Sequence, residues 1–147
     1  MSDFFTDEYF MKQALQQAKI AFDKGEVPIG AVVVFQDRVI SKAHNLTETL
    51  QDPTAHAEML AITSATNMIG GKFLKDCVLY VTVEPCVMCA GASYWSQIGR
   101  IIFGTSDNKR GYSSFGKDIL HPKTTILGRI MQNECEQIMK EFFLLKR

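Results

Sequence analysis

In the stretch TAHAEMLAI, Thr54 to Ile62, an imidazole and a carboxylate stand two residues apart at the mouth of an apolar run. Further on, EPCVMC carries two thiols, Cys86 and Cys89, three residues apart. Two side chains three apart on a helix share one face, so both sulfurs reach a single metal ion. Pro85 just before Cys86 suits a helix entrance, and the positive end of the helix dipole favours thiolate over thiol. His56 and Glu58 pose a different problem, because residues two apart on a helix are rotated by about 200°. They converge only at a helix end, with His56 on the ion and Glu58 beside it, reaching bound water without ligating the metal. Three protein ligands leave a fourth position open, the mark of catalytic rather than structural zinc. Each motif alone has a plainer reading. A Cys-x-x-Cys pair also serves as a redox couple or half of a structural site, and a histidine beside an acid at a helix start is commonly a cap or a satisfied core group. Together, each at a helix start just after a loop, they point to a catalytic metal centre with Glu58 as the proton carrier.

Such a centre needs a scaffold that aims two helix starts at one point. From Thr6 to Lys24 the apolar residues Phe10, Ala14, Ala18 and Ala21 follow helical spacing, and Gly25 ends the run. IGAVVVF and RVISKA are β-branched runs joined by Gln36 and Asp37, an antiparallel hairpin. DPTAHAEMLAITSATNMIGG reads as a helix opening at Asp52 and Pro53 and closing on Gly70 and Gly71. CVLYVTV, Cys77 to Val83, reads as a buried strand, and CVMCAGASYWSQI as the helix that follows it. RIIFGT and KTTILG are further strands, and IMQNECEQIMKEFFLLK a last helix. Strands alternating with helices imply a three-layer α/β sandwich whose sheet opens with an antiparallel hairpin and continues through crossover connections.

Composition sets the bounds. The 147 residues are 46% hydrophobic and carry no repeat, linker or low-complexity run, so one domain over 1–147 is expected. Lys and Arg total 16 and so do Asp and Glu, so no global charge draws the protein to a polyanion or a membrane surface. No segment has the roughly 18–20 consecutive apolar residues of a membrane span, and MSDFFTDEYF lacks a signal-peptide pattern. The expectation is a soluble, cytoplasmic protein with reduced cysteines, in which Cys77 and Cys135 are buried structural thiols.

HAE followed by EPCVMC is the H-x-E…P-C-x-x-C signature of zinc-dependent nucleobase deaminases. GEVPIGAVVV, AHNL, DPTAHAEMLAI, DCVLYVTVEPCVMCAGA and FFLL extend the likeness, and the chain resembles the bacterial tRNA adenosine deaminases from Gly25 to Gly104 and again in its final helix. That resemblance implies a three-layer α/β/α cytidine deaminase-like sandwich with a mixed five-stranded sheet. It also implies conversion of adenosine to inosine at the wobble position of a tRNA anticodon, Zn2+ on His56, Cys86 and Cys89, and Glu58 as proton shuttle. A homodimer is implied as well.

Around the metal, Val27, Pro28 and Ile29 offer an apolar wall for a flipped base, Ile29 reading equally as strand core. Asn45 offers both a donor and an acceptor to base or ribose, or else pins its own loop, and the resemblance favours substrate contact. Ala57 and Pro85, inside the two motifs, complete the expected substrate-binding set. Asp107, Lys109 and Gly111 resemble a family loop that helps hold the anticodon stem, with Lys109 and Arg110 as phosphate contacts or as a solvated turn. Phe142, Phe143, Lys146 and Arg147 are candidates for a rim around the RNA loop, one of the two phenylalanines being expected in the core.

The chain departs from the family pattern at 112–123, where Tyr112 to Phe115 and LHPKTT stand instead of small residues and a longer Asn-His segment. Tyr94 and Trp95 resemble the guanine deaminases of the same superfamily. Guanine or another free purine or nucleoside is therefore the alternative substrate, and a zinc-stabilised RNA- or partner-binding scaffold the non-enzymatic alternative. Tyr94 and Trp95 otherwise belong to a core or a subunit interface.

Overall fold

The computed structural model describes residues 4–146. Helix α1 spans Asp7–Asp23, and Thr6 caps it, its Oγ1 accepting the Tyr9 N–H at 3.1 Å. Its buried stripe of Phe10, Met11, Ala14, Leu15, Ala18 and Ala21 faces the sheet. Strands β1 (Gly30–Phe35) and β2 (Arg38–His44) form the expected hairpin. Gln36 and Asp37 both take positive φ, 51° and 61°, the two-residue turn whose twist matches that of the flanking strands.

Strand β3 (Cys77–Val83) pairs antiparallel with β1, whereas β4 (Arg100–Thr105) and β5 (Thr125–Leu127) continue in parallel, in the order β2-β1-β3-β4-β5. Alternation along the strands splits the core in two. Ala31, Val33, Leu79, Val81 and Ile101 face α2 (Ala57–Ile69) and α3 (Val87–Ser96), while Val32, Val34, Tyr80 and Ile102 face α1 and α4 (Gln132–Leu145). The result is the mixed five-stranded, three-layer sandwich expected. Among the described residues no helix is long and apolar enough to cross a membrane.

Three expectations move. Helix α2 begins at Ala57 with His56 as N-cap, not at Asp52. The Asp52 carboxylate instead accepts the Thr54 N–H at 2.8 Å and the Thr54 hydroxyl at 2.7 Å, closing a local turn that ends before the helix. Strand β5 keeps only three residues of KTTILG. Helix α4 starts at Gln132 because Arg129 and Met131 take left-handed φ of 69° and 57°, which an α-helix excludes. The divergent stretch 112–123 folds into two 3-10 turns, Tyr112–Ser114 and Lys117–Ile119, pinned by buried Tyr112 and Leu120.

Candidate active site

The end of β3, the start of α2 and the start of α3 meet at one point. His56 and Cys86 are the N-caps of α2 and α3, and Cys89 lies one turn into α3. The imidazole Nδ1 stands 3.6 Å from each sulfur, and the three donor atoms lie within 4.8 Å of one another. Donors around a tetrahedral zinc, at about 2.3 Å for sulfur and 2.1 Å for nitrogen, stand about 3.6 Å apart. The donor set therefore fits a zinc ion in both chemistry and spacing.

The thiols titrate as a pair. Cys86 is drawn down to about 4, first because Cys89 donates a hydrogen bond to it and further by His56, whereas Cys89 is pushed up by making that bond and by burial. His56 is raised, chiefly by its contact with the Cys86 sulfur. Cys86 is thus the readier thiolate.

Glu58 sits in the first turn of α2, 3% exposed, and its Oε1 has no partner. Burial, reinforced by the Cys86 charge, pushes its carboxyl up to about 7, where a group gives and takes protons readily at neutral pH. Asn45, just after β2, is also buried, and its Oδ1 is likewise unpartnered. Among the described residues these are the two buried side-chain oxygens left without a hydrogen bond. Buried polar groups are normally satisfied, so two orphaned acceptors on one cavity mark a place for a polar ligand.

That cavity measures about 250 Å³. This is below the roughly 300–1,000 Å³ of drug-sized ligand sites and suits a single base. Val27, Ile29, Asn45, Thr47, His56, Ala57, Glu58, Val83, Glu84 and Cys86 line the cavity together with Asp107 and with Arg110, whose exposure puts it at the rim. Pro28 and Pro85, expected in the substrate-binding set, do not line it. Both are buried, Pro28 between the two cavity-lining residues Val27 and Ile29, Pro85 with its carbonyl accepting the Tyr112 N–H at 2.9 Å.

The loop residues separate by role. The Asp107 carboxylate accepts the N–H groups of Lys109 and Arg110, each at 3.0 Å, so it shapes the loop itself. Lys109 is exposed and stands off the cavity lining, unlike Arg110. Phe142 is buried with its ring 5.9 Å from that of Phe22, so packing against α1 takes the surface that base stacking needs. Phe143 is exposed beside Met139 and Leu144, and Arg147 lies outside the described residues. Tyr94 and Trp95 line a separate cleft with Lys72, Phe73 and His121. Cys77 and Cys135 are buried thiols with pKa values raised by burial.

Two carboxylates went unremarked in the sequence. Glu26, 0% exposed, accepts the Glu48 N–H at 3.0 Å and the Thr49 N–H and hydroxyl at 2.6 Å each, fixing the loop that carries Asn45 and Thr47. Burial alone raises Glu26, but these hydrogen bonds outweigh it and hold the carboxyl below its ordinary range. Glu84 binds the loop on the opposite side, through Asp107 and Ser113. The available signal was an acid embedded in an apolar context, GEVPIG and VTVEPC.

Comparison with known proteins adds to this geometry. The family model described as MafB19-like deaminase matches residues 5–147. The tRNA-specific adenosine deaminase of Aquifex aeolicus (strain VF5) is 56% identical over 141 residues, covering 92% of this chain and 93% of that protein. The tRNA-specific adenosine deaminase of Bacillus subtilis (strain 168) is 42% identical over 142 residues, covering 93% and 88%. A solved structure from work on A-to-I editing by tRNA:A34 deaminases at the wobble position of transfer RNA superposes with a TM-score of 0.83 at 37% identity, covering 88% of this chain and 98% of that one.

Proposed function

The chain belongs to the MafB19-like deaminase family, together with the tRNA-specific adenosine deaminases, and from that premise we propose that it converts adenosine to inosine at the wobble position of a tRNA anticodon. His56, Cys86 and Cys89 hold Zn2+ in this reading, and the 3.6 Å spacing of their donor atoms supports it. When bound, zinc supplies the acidification of water toward neutral pH that makes it a competent nucleophile. The chain's own residues do the rest. Water adds to C6 of the base while Glu58 takes a proton from its oxygen and passes it to N1. Glu58 then takes the remaining proton from the hydroxyl added at C6 and carries it to the exocyclic nitrogen, the C6–N6 bond breaks as the C6 carbonyl forms, and ammonia leaves. Val27 and Ile29 flank the base, and Asn45 meets it with the oxygen that no protein group satisfies.

One observation carries the reading: a buried carboxylate with a free oxygen beside a three-donor metal cluster, in a base-sized cavity. A zinc-stabilised scaffold has no use for such a group. RNA enters through splayed single-stranded nucleotides, with Arg110 and Lys109 on the phosphates. Phe143 and Lys146 extend the rim along α4. A homodimer belongs to this reading, and the exposed rings of Trp95 and Phe115 are available to such an interface. The whole chain acts as one deaminase domain over 1–147, in the cytoplasm, where its substrate resides.

The test is zinc-loaded protein incubated with a panel of anticodon stem-loops and with free purines, read by mass spectrometry. Inosine at the wobble position of an adenosine-bearing stem-loop is the expected product. Xanthine from guanine with untouched RNA would replace the reading by the free-base alternative, and no product with any substrate would leave the scaffold.

A further inference from the structure

Glu84 is 5% exposed, borders the cavity, and is given no part in metal binding or proton transfer. Burying a charge is costly unless its oxygens are well bonded. Those of Glu84 are: Oε1 accepts the Asp107 N–H at 3.2 Å, and Oε2 accepts the Ser113 N–H at 3.1 Å and the Ser113 hydroxyl at 2.6 Å. One carboxylate therefore grips both ends of the loop 107–113. Between those ends, Gly111 bridges to Cys86 and the Tyr112 N–H donates to the Pro85 carbonyl at 2.9 Å. The fit leaves no room for a side chain at Gly111, where a Cβ would collide with the Glu84 carboxylate and the Asp107 carbonyl. The tip is fixed in turn by Asp107, and the cationic side chain the loop brings to the cavity rim is Arg110. Ser113 supplies the hydroxyl that completes the grip.

We propose that Glu84 and Ser113 are positioning residues that clamp the loop 107–113 so that Arg110 is held against the phosphate backbone of the bound RNA. The inference rests on RNA being the substrate. The clamp raises affinity through Arg110 and takes no part in chemistry.

The decisive comparison is Ser113→Ala, Arg110→Ala and the double variant, each with its zinc content measured, on an adenosine-bearing anticodon stem-loop. Ser113→Ala is expected to raise KM about five- to tenfold with kcat within about twofold and zinc unchanged. It is also expected to flatten the dependence of log affinity on log salt by about 0.7, the share of one phosphate contact on a single strand. Arg110→Ala should do the same, the double variant should be no worse than Arg110→Ala alone, and Ser113→Thr should restore affinity by keeping the hydroxyl. Multiplying effects in the double variant, or loss of zinc or kcat at unchanged KM, would overturn the clamp in favour of simple support for Cys86. Fluorescence anisotropy with a labelled stem-loop separates the two failures. Wild-type protein that binds RNA but forms no inosine removes the deaminase reading, and Ser113→Ala must then still weaken Kd five- to tenfold or the clamp falls too.

Discussion

At the scale of single residues, the site separates groups that hold from groups that act. His56, Cys86 and Cys89 each offer one donor atom to a common point, whereas Glu58 keeps an oxygen free and buried beside them. Removing the carboxylate should therefore leave the metal in place and stop proton transfer. Glu58→Gln is expected to keep full zinc stoichiometry by elemental analysis and lose about 10²- to 10⁴-fold in kcat, the usual worth of a positioned acid/base. Turnover within tenfold of wild type in the zinc-loaded variant would remove Glu58 from the mechanism. Glu26 is different: it acts on stability. Its hydrogen bonds hold the folded carboxyl below 4.5, so its contribution is present above about pH 4.5 and is lost as pH falls through the lower, folded value. Glu26→Gln sets its NH2 group against a backbone N–H, that of Glu48 or of Thr49, whichever way the amide turns, and should cost about 1–3 kcal/mol at pH 7 by urea denaturation. The gap from wild type should narrow below pH 4.5, and a gap that stays constant down to pH 3 would mean the charge is irrelevant. The ligands and Glu58 were legible because residue type and spacing encode them. Glu26 and Glu84 were not, because their partners lie about 22 to 29 positions away and spacing says nothing about such pairs.

At the scale of elements, what matters is where helices start and how tightly they seat. Both metal motifs sit at helix N-termini because the chain enters each helix from a loop whose own turn chemistry is satisfied first. The Asp52–Pro53 signal was real but belonged to that turn. Asp52 spends its carboxylate on Thr54, and His56 caps the helix four residues later with no side-chain bond to the helix, leaving its ring for the metal. The β-branched runs, and the two-residue link Gln36–Asp37 between the first two, identified β1, β2 and β3 directly. The start of α4 was placed too early, because the left-handed residues Arg129 and Met131 are not glycines and so do not announce themselves in the sequence. Seating is set at Gly30, where α1 lies directly on the first residue of β1. A Cβ there would strike the Ala14 carbonyl and the backbone of Ala18. Gly30→Ala must push α1 off the sheet and should cost about 1–3 kcal/mol, the usual penalty for overpacking. Because Ile29 precedes it in the cavity wall, KM should rise as well. Unchanged thermal stability and KM would show that α1 can shift without strain.

At the scale of the whole molecule, 16 basic and 16 acidic residues leave a formal net charge of zero, which constrains how the proposed RNA substrate can be held. Long-range attraction is therefore weak, and affinity must come from the shape of the cavity, from unstacked bases and from a few local cations. Arg110 stands at the cavity rim with Lys109 next to it, and Lys146 lies at the end of α4 with its ammonium 5.3 Å from the centre of the Phe142 ring. Each phosphate neutralised on a single strand contributes about 0.7 to the slope of log affinity against log salt. Two or three such contacts give a slope between about −1.4 and −2.1, so binding of the anticodon stem-loop should weaken about seven- to eighteenfold between 50 and 200 mM salt. Anisotropy titrations over that range measure it. A slope steeper than about −4 would require about six phosphate contacts, more than Lys109, Arg110 and Lys146 supply, and would point to RNA bound across two copies of the protein rather than at the rim of a single cavity.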